Sequence, residues 1–436
     1  MGRPERHLFG ARERNLKIIV NLRSYSSAMQ WALTEPSFSS GRAAQRLLGL
    51  VAVACAVQLY AAIEGPFAQF WANDFRYFWT AGKLWNEGAS PYLSTYLEQG
   101  RALWTHFGAP FYYPPSIRPL VALLALAPPR EAALLFFTLN IALLALSCRL
   151  LAAVAVRLAP ETDKNLAMAV MLATVFIGLR QPLIVASIGQ LTDVFFAAAS
   201  LYLFGVVSKR PALVSIGLAI LLMKPQFGAG ILVLSLLDKE MRSAAMIGVL
   251  LNGVFMAAGL ANNPAASLAG FLTNMAHYTE HPLNAVSHSS GMSFMLSLCG
   301  VEPPPSATLI LIAAAPVFIR LAGAEKNRPF AILATIVWGI FAAPTHATDY
   351  VMLAPAMLIL FDRSNFRHAA WLILIMAVLG RSYEAARALN LHAEDRLFVL
   401  TVVNTAALSA LLAMVLARTF ADGQLKPRAR ASTGAS

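Results

Sequence analysis

Long apolar runs separated by short polar gaps recur along most of this 436-residue chain. Hydrophobic residues make up 58% of the sequence and charged residues 13%, which leaves too little polar surface to cover a soluble protein of this size. Because backbone polar groups inside lipid must bond to one another, such runs cross the membrane as helices. The sequence therefore predicts an all-α, polytopic membrane protein with about 10–12 transmembrane helices.

The apolar runs also give approximate positions for these helices. Several runs are shorter than the ~20 residues that usually span a bilayer. The two runs within 211–237, which meet at Lys224-Pro225, fit either two spans or one broken, re-entrant hairpin. The candidate spans lie near residues 46–63, 131–156, 165–180, 191–208, 211–223, 226–237, 243–261, 306–322, 329–343, 351–361, 369–380 and 397–417.

Positive charge is concentrated in alternate junctions between these runs. The net charge of +12 would suggest nucleic acid as a partner for a soluble protein, whereas in a membrane protein basic loops mark the cytoplasmic side. We therefore predict a multi-pass protein of the bacterial inner membrane with both termini in the cytoplasm and no nucleic-acid partner. Its predicted parts are a basic, disordered arm at 1–45, a transmembrane domain at 46–417 that includes a long first outer loop at 64–130, and a basic tail at 418–436. The first span is expected to be an uncleaved anchor.

A single acid, Asp74, lies in an unusually aromatic stretch of the first outer loop, FWANDFRYFWTAGKLW at 70–85. Apolar residues from Phe75 to Trp85 follow a helical rhythm, so we predict a short interfacial helix that begins near Asp74. The carboxylate has two possible roles, an N-cap or a catalytic base, and backbone N–H groups would hold it ionised in either role. The surrounding aromatic residues suit a membrane-interface belt or a floor for a lipid-linked sugar.

Three further segments place polar residues at the ends of apolar runs. They are SIGQLTDV at 187–194, LLMKPQFGAG at 221–230 and APTHATDYVMLAP at 343–355. Lys224 is costly within an apolar stretch unless it reaches the interface or pairs with an anion, which could be a structural carboxylate or a lipid phosphate.

Cofactor signatures are weak in this sequence. His277, Glu280 and His281 have a spacing that could contribute to a metal site, but no further ligand is fixed and we expect no metal. The three cysteines show no paired or CxxC spacing. We find no P-loop, GxGxxG or GxSxG setting, and so expect no nucleotide cofactor.

Six short motifs occur in one order along the chain: DFRYFWTAG, PY, FYYPPS, SIGQ, LLMKPQ and THATDYVMLAPA. In this order the sequence resembles glycosyltransferase family 87 of the GT-C superfamily of membrane glycosyltransferases. Other GT-C families carry an acidic pair in the first outer loop, whereas here Asn73 precedes Asp74, which favours family 87. The resemblance covers roughly residues 70–360.

The resemblance implies an inverting hexosyltransferase that moves a sugar, commonly mannose, from a polyprenyl phosphate carrier to a lipid or glycan acceptor at the outer membrane face. Its first-loop aspartate is the general base, a role that falls on Asp74. The partners implied are the lipid-linked donor, the acceptor and membrane lipids, with no cofactor. The candidate substrate-binding residues are Arg76, Tyr113, Gln190, Lys224, His346 and Asp349.

Two other functions are compatible with the sequence. A secondary transporter of about twelve spans would place Lys224 and Asp193 together at a midplane site. Its usual mark, a pair of matching halves with interrupted helices, is not found, and a long aromatic first outer loop is unusual for a permease. A polymerase or ligase of lipid-linked glycans would share the outer-face site and differ mainly in its donor.

Overall fold

The structure, a computed structural model, describes residues 41–64, 73–105, 107–179, 181–280, 289–301, 304–321, 327–361, 366–388 and 393–420. Within these ranges the chain forms helices and no β-strand; one isolated bridge joins Ser290 and Thr345. The α-helices are α1 (Gly41–Glu64), α2 (Phe75–Asn86), α3 (Ser94–Leu103), α4 (Arg118–Leu124), α5 (Pro129–Leu158), α6 (Lys164–Leu172), α7 (Gln181–Ile188), α8 (Thr192–Val207), α9 (Pro211–Leu221), α10 (Pro225–Leu237), α11 (Arg242–Leu260), α12 (Pro264–Ala276), α13 (Met292–Leu298), α14 (Pro305–Leu321), α15 (Arg328–Ala342), α16 (Phe366–Ala388) and α17 (Ala393–Phe420).

Every predicted span overlaps a helix, which confirms the all-α fold. Four helical stretches are long and apolar enough to cross a membrane: Gly41–Tyr60, Pro129–Leu158, Arg242–Leu260 and Arg396–Phe420. A fifth candidate is a pair, α6 with its continuation to Gly178 and then α7, bent by 65°. Eight further apolar helices are only 10–17 residues long. The shorter helices α8, α9 and α15 are largely buried, whereas α1 exposes large apolar side chains such as Leu50 and Val53.

Two predicted α-helical segments have a different helical type. The run near 165–180 changes to a π-helix over Ala173–Gly178, and the run near 351–361 is a 3₁₀-helix over Ala347–Phe361. The helix predicted near 351–361 is therefore present, but as a 3₁₀-helix. A 3₁₀-helix rises ~2.0 Å per residue, so 15 residues extend ~30 Å, about the thickness of the hydrocarbon core, where an α-helix of that length would extend only ~22 Å.

Residues of two junctions between helices and of the end of α17 contact one another at one end of the bundle. At one end, Arg328 pairs with Asp238 at 2.7 Å and with Glu240, and Asn327 donates to the Arg418 carbonyl at 3.1 Å. These residues belong to junctions that the charge pattern assigns to the cytoplasm. The candidate site residues gather at the other end. That the basic end faces the cytoplasm stays a prediction.

The described part of the first outer loop folds as predicted around α2. All the large apolar residues of its helical rhythm, from Phe75 to Trp85, are buried. The indole N–H of Trp85 donates to the Gly259 carbonyl at the end of α11 at 3.0 Å, and that of Trp79 donates to the Ala127 carbonyl at 3.0 Å. The Trp85 bond joins the loop to the helix bundle, and the Trp79 bond joins two parts of the loop.

Most aromatic residues of this loop pack against one another. Phe111 has ring contacts with Phe78, Trp85, Tyr92 and Tyr96 at centroid distances of 6.3, 5.7, 5.8 and 5.8 Å. The loop thereby has an aromatic core of its own, and the expectation that the aromatic stretch forms a sugar-binding floor stays a prediction.

The domain boundaries are described only in part. The arm predicted at 1–45 is described from Gly41, where α1 already begins, and the tail predicted at 418–436 is described only to Phe420, within α17. The other residues of both segments, and positions 65–72 before Asp74, lie outside the described ranges.

Candidate active site

A cavity of about 470 Å³ lies at the end of the bundle that the charge pattern assigns to the outer face. Its walls come from the first outer loop, from α12 and the turn after it, from α13 and α14, and from the junctions before α8, α10 and the long 3₁₀-helix. Six of the seven residues predicted for the site line it: Asp74, Tyr113, Gln190, Lys224, His346 and Asp349. The fold therefore places residues that are distant in sequence around one cavity.

Asp74 immediately precedes α2, but its side chain does not cap the helix. Its φ and ψ of −89° and −27° lie in the right-handed helical region, not in the extended region that capping residues adopt. Asp163 shows the contrast, because its extended backbone lets Oδ1 accept from the N–H groups of Asn165 and Leu166 at 2.7 and 3.2 Å. The N-cap prediction for Asp74 is therefore wrong, and its carboxylate is available to the cavity.

The electrostatic expectation for Asp74 also changes. Burial raises the pKa of its carboxyl group above the ordinary value, while the hydrogen bond from Gln190 and the charge of Arg76 act in the opposite direction. Helix N–H groups do not hold it ionised as predicted, since it accepts no capping bond. A carboxylate with a raised pKa is a stronger base than a free aspartate.

Four of the sequence motifs meet in one chain of hydrogen bonds. The Tyr92 hydroxyl donates to the Tyr113 carbonyl at 2.7 Å, and the Tyr113 hydroxyl donates to Gln190 Oε1 at 3.2 Å. The Gln190 amide nitrogen in turn donates to Asp74 Oδ2. This chain of hydrogen bonds links the motifs PY, FYYPPS, SIGQ and DFRYFWTAG, and its last acceptor is the carboxylate of Asp74.

The turn that carries Gln190 lies directly against the start of α2. The Asp74 backbone N–H donates to the Ile188 carbonyl at 2.8 Å. Gly189 has φ of +77°, and a Cβ added there would lie 2.4 Å from Phe75 Cβ. Only glycine fits this position without moving the backbone that holds Asp74.

Gly189→Ala is expected to lower both the melting temperature and the transfer rate, since it combines a left-handed backbone with a steric clash. The matched control is Gly88→Ala, because Gly88 has φ of +78° but no atom within 4 Å of an added Cβ. The control carries only the ~1 kcal/mol conformational cost. Thermal melts and transfer rates of the two purified variants measure the difference. Equal losses in both would show that contact with Phe75 is unimportant.

The two remaining motifs form an ion pair on the cavity wall. Lys224 Nζ lies 2.6 Å from Asp349 Oδ1, and the Thr192 hydroxyl donates to the same oxygen at 3.2 Å. Pro225 disfavours a helical conformation at Lys224, which is extended and interrupts the path from α9 to α10. The side chains of Lys224 and Asp349 are 13% and 3% exposed, and the ammonium also lies 4.5 Å from the Phe227 ring centroid. The sequence left open a carboxylate or a phosphate partner for Lys224, and the structure provides the carboxylate.

Arg76 is the predicted site residue that does not line the cavity. Its guanidinium donates to the Thr105 carbonyl at 2.7 Å and lies 5.1 Å from the Tyr77 ring centroid. The transporter alternative predicted that Lys224 and Asp193 would share a site, but Lys224 pairs with Asp349. Asp193 is fully buried outside the cavity, and its carboxylate makes no hydrogen bond within the described part of the chain.

Several residues that line or support the cavity were not predicted from the sequence. Tyr112 and Tyr278 meet edge to face with ring centroids 5.1 Å apart, and Phe271 and Met275 of α12 add an apolar wall. Asn140 supports the site from α5 by donating to the Gln190 carbonyl at 3.2 Å. A buried asparagine in a 30-residue apolar helix was an available signal.

The possible metal-binding residues lie elsewhere. His277 and Glu280 contact each other at 2.8 Å, with side chains 60% and 70% exposed, and neither lines the cavity. The third predicted member, His281, lies outside the described residues. Among the residues that the structure describes, no three His, Cys, Asp or Glu side chains form a group suited to a metal ion.

Together, the fold and cavity define an all-α membrane protein with an aspartate and a lysine in one aromatic-lined site. The sequence profile of glycosyltransferase family 87 matches residues 111–355, more than half of the chain, and the protein therefore belongs to glycosyltransferase family 87. It is a membrane glycosyltransferase. No curated protein and no solved structure matches the chain. Asp74 precedes the matched range and joins it through Gln190.

Proposed function

We propose that the protein transfers a hexose from a polyprenyl phosphate carrier to a hydroxyl group of a lipid or glycan acceptor. The sugar we propose is mannose. The reaction takes place at the outer face of the bacterial inner membrane and inverts the configuration at the anomeric carbon. Membership of family 87 supports sugar transfer, while the donor, acceptor and mechanism are our inference. No cofactor takes part, because the donor arrives already activated.

The observation that carries this proposal is the presence of Asp74 and Lys224 on the walls of one cavity. A base and a cation that line one cavity suit a displacement in which a proton leaves the acceptor and negative charge develops on phosphate. Aromatic side chains from Tyr77, Phe78, Tyr112 and Tyr278 line the same cavity and offer faces on which a sugar ring can stack.

The proposed reaction is a single displacement. The acceptor oxygen attacks the anomeric carbon while Asp74 takes its proton, and a new glycosidic C–O bond forms. The bond between the anomeric carbon and the phosphate oxygen breaks, and its electron pair leaves with the polyprenyl phosphate. Asp74 then returns its proton to solvent.

Lys224 and His346 are proposed to stabilise the departing phosphate. The ammonium of Lys224 can contact it while Asp349 and Thr192 fix the side chain, and His346 on the same wall can donate a second hydrogen bond. Arg76 acts at longer range, through its charge on Asp74. The role of Asp349 is thus to hold Lys224 in place.

The test is transfer by the purified protein with radiolabelled polyprenyl-phosphate mannose and total membrane lipid, followed by product analysis. We expect label to move to a lipid or glycan product. A matched reaction with a polyprenyl diphosphate sugar tests the polymerase or ligase alternative, which would show label only from that donor. Absence of a labelled product with several donor sugars on both carriers would contradict the proposal.

A further inference from the structure

Gln190 is the point at which the hydrogen bonds of this site converge. Its amide nitrogen donates to Asp74 Oδ2, its amide oxygen accepts from the Tyr113 hydroxyl at 3.2 Å, and its carbonyl accepts from Asn140 at 3.2 Å. Both ends of its side-chain amide therefore have protein partners. The amide nitrogen keeps one further N–H and the amide oxygen one further lone pair, but these protein partners fix the orientation of the side chain.

The two oxygens of Asp74 differ in their surroundings. Oδ2 accepts the Gln190 amide, whereas within the described part of the chain Oδ1 accepts no hydrogen bond. Since the residue lines the cavity, Oδ1 is the oxygen available to an acceptor hydroxyl. A hydrogen bond to one oxygen of a carboxylate fixes the direction in which the other oxygen points. Proton abstraction requires a base that is held in this way.

We propose that Gln190 is a positioning residue for Asp74: its amide holds Oδ2, and this directs Oδ1 to the acceptor hydroxyl. The assignment rests on the proposed role of Asp74 as the general base. It replaces the sequence-based expectation that Gln190 binds substrate. The Tyr113 hydroxyl fixes the orientation of the amide, so that its nitrogen and not its oxygen faces Asp74.

The same hydrogen bond stabilises the ionised form of Asp74. Burial raises the pKa of this carboxyl group, and the bond from Gln190 lowers it in part. Arg76, which lies on α2, also lowers the pKa of Asp74. Loss of the hydrogen bond from Gln190 would leave only Arg76 to oppose the effect of burial, and the pKa of Asp74 would rise. The other titratable side chains that line the same cavity are Tyr77, Tyr112, Tyr113, Lys224, Tyr278, His346 and Asp349.

The test is the pH profile of Gln190→Met, which keeps the length of the side chain but cannot donate. Because the active form of Asp74 is ionised, activity falls as pH drops through its pKa, and a higher pKa moves this acid limb to higher pH. We expect the acid limb of kcat to move upward, kcat at its plateau to fall roughly tenfold to a hundredfold, and KM for donor and acceptor to change by less than about twofold.

Two further variants make this test specific. Tyr113→Phe keeps the Gln190 amide but removes its support, so we expect the same upward movement of the acid limb and a smaller fall in kcat. If Gln190→Met does not fold, this variant alone decides the proposal. Gln226→Met alters another cavity glutamine away from the Tyr113–Asp74 chain, and its acid limb should stay where it is in the unaltered protein.

A raised KM with an unmoved acid limb in Gln190→Met would assign Gln190 to substrate binding and overturn the inference. For Tyr113→Phe, an unmoved acid limb would also contradict it. These results are distinct from failure of the proposed function, which would appear as an active Asp74→Asn enzyme whatever Gln190 does.

Discussion

Replacement of Asp74 by asparagine should reduce sugar transfer to a small residual rate while the protein still folds and can be extracted from the membrane. Asparagine keeps the side-chain oxygen that accepts from Gln190 but cannot take a proton from the acceptor. General-base catalysis usually contributes 10²–10⁴-fold, so we expect kcat to fall by about that factor. Transfer of radiolabelled sugar by matched amounts of purified protein measures the loss.

The control is the same substitution at another helix terminus. Asp163 caps α6 through two backbone N–H groups, and asparagine caps helices equally well. Asp163→Asn should therefore keep the full transfer rate and the melting temperature. If Asp74→Asn transferred sugar at the unaltered rate, the proposed base would have to be another group.

Lys224→Met is the second substitution expected to have a large effect, because it damages both stability and transfer. It leaves the carboxylate of Asp349, which is 3% exposed, without its cation. Removal of one member of a buried ion pair typically costs about 3–5 kcal/mol, so we expect a clear fall in melting temperature in detergent. We also expect transfer to be lost, since the donor phosphate would lose its lysine.

A second substitution separates these two effects. Asp349→Asn in the Lys224→Met background removes the unpaired charge, and the double variant should regain most of the lost thermal stability. Transfer should stay absent, because neither new side chain is cationic. Recovery of both stability and transfer in the double variant would show that Lys224 is needed only for the fold.

Much of the fold and several site residues were predictable from single segments. The apolar runs located the helices, and the aromatic rhythm around Trp79 predicted α2 with the correct buried face. Asp74, Gln190, Lys224 and Asp349 were predicted for the site from motif order and from their position at the ends of apolar runs. The apolar runs and the aromatic rhythm are local patterns, whereas the motif order spans most of the chain and implies site residues through the resemblance to family 87.

Pairings between segments were not predictable. Lys224 had a phosphate, Asp193 or another carboxylate as possible partners, and the choice of Asp349 depends on how α10 and the 3₁₀-helix approach each other. The same holds for Asn140, whose contact with the Gln190 carbonyl spans 50 positions. An amide or carboxylate in a sequence does not specify which group it will bond to.

By itself, the sequence determined that this protein is an all-α membrane protein and which polar residues interrupt its apolar runs, because lipid requires long apolar segments and makes every polar exception costly. Only the tertiary structure decided what those exceptions do. It turned the Asp74 side chain away from the helix N–H groups, bound it to Gln190 and paired Lys224 with Asp349. These outcomes depend on backbone angles and on packing between helices distant in sequence, neither of which a periodic pattern contains.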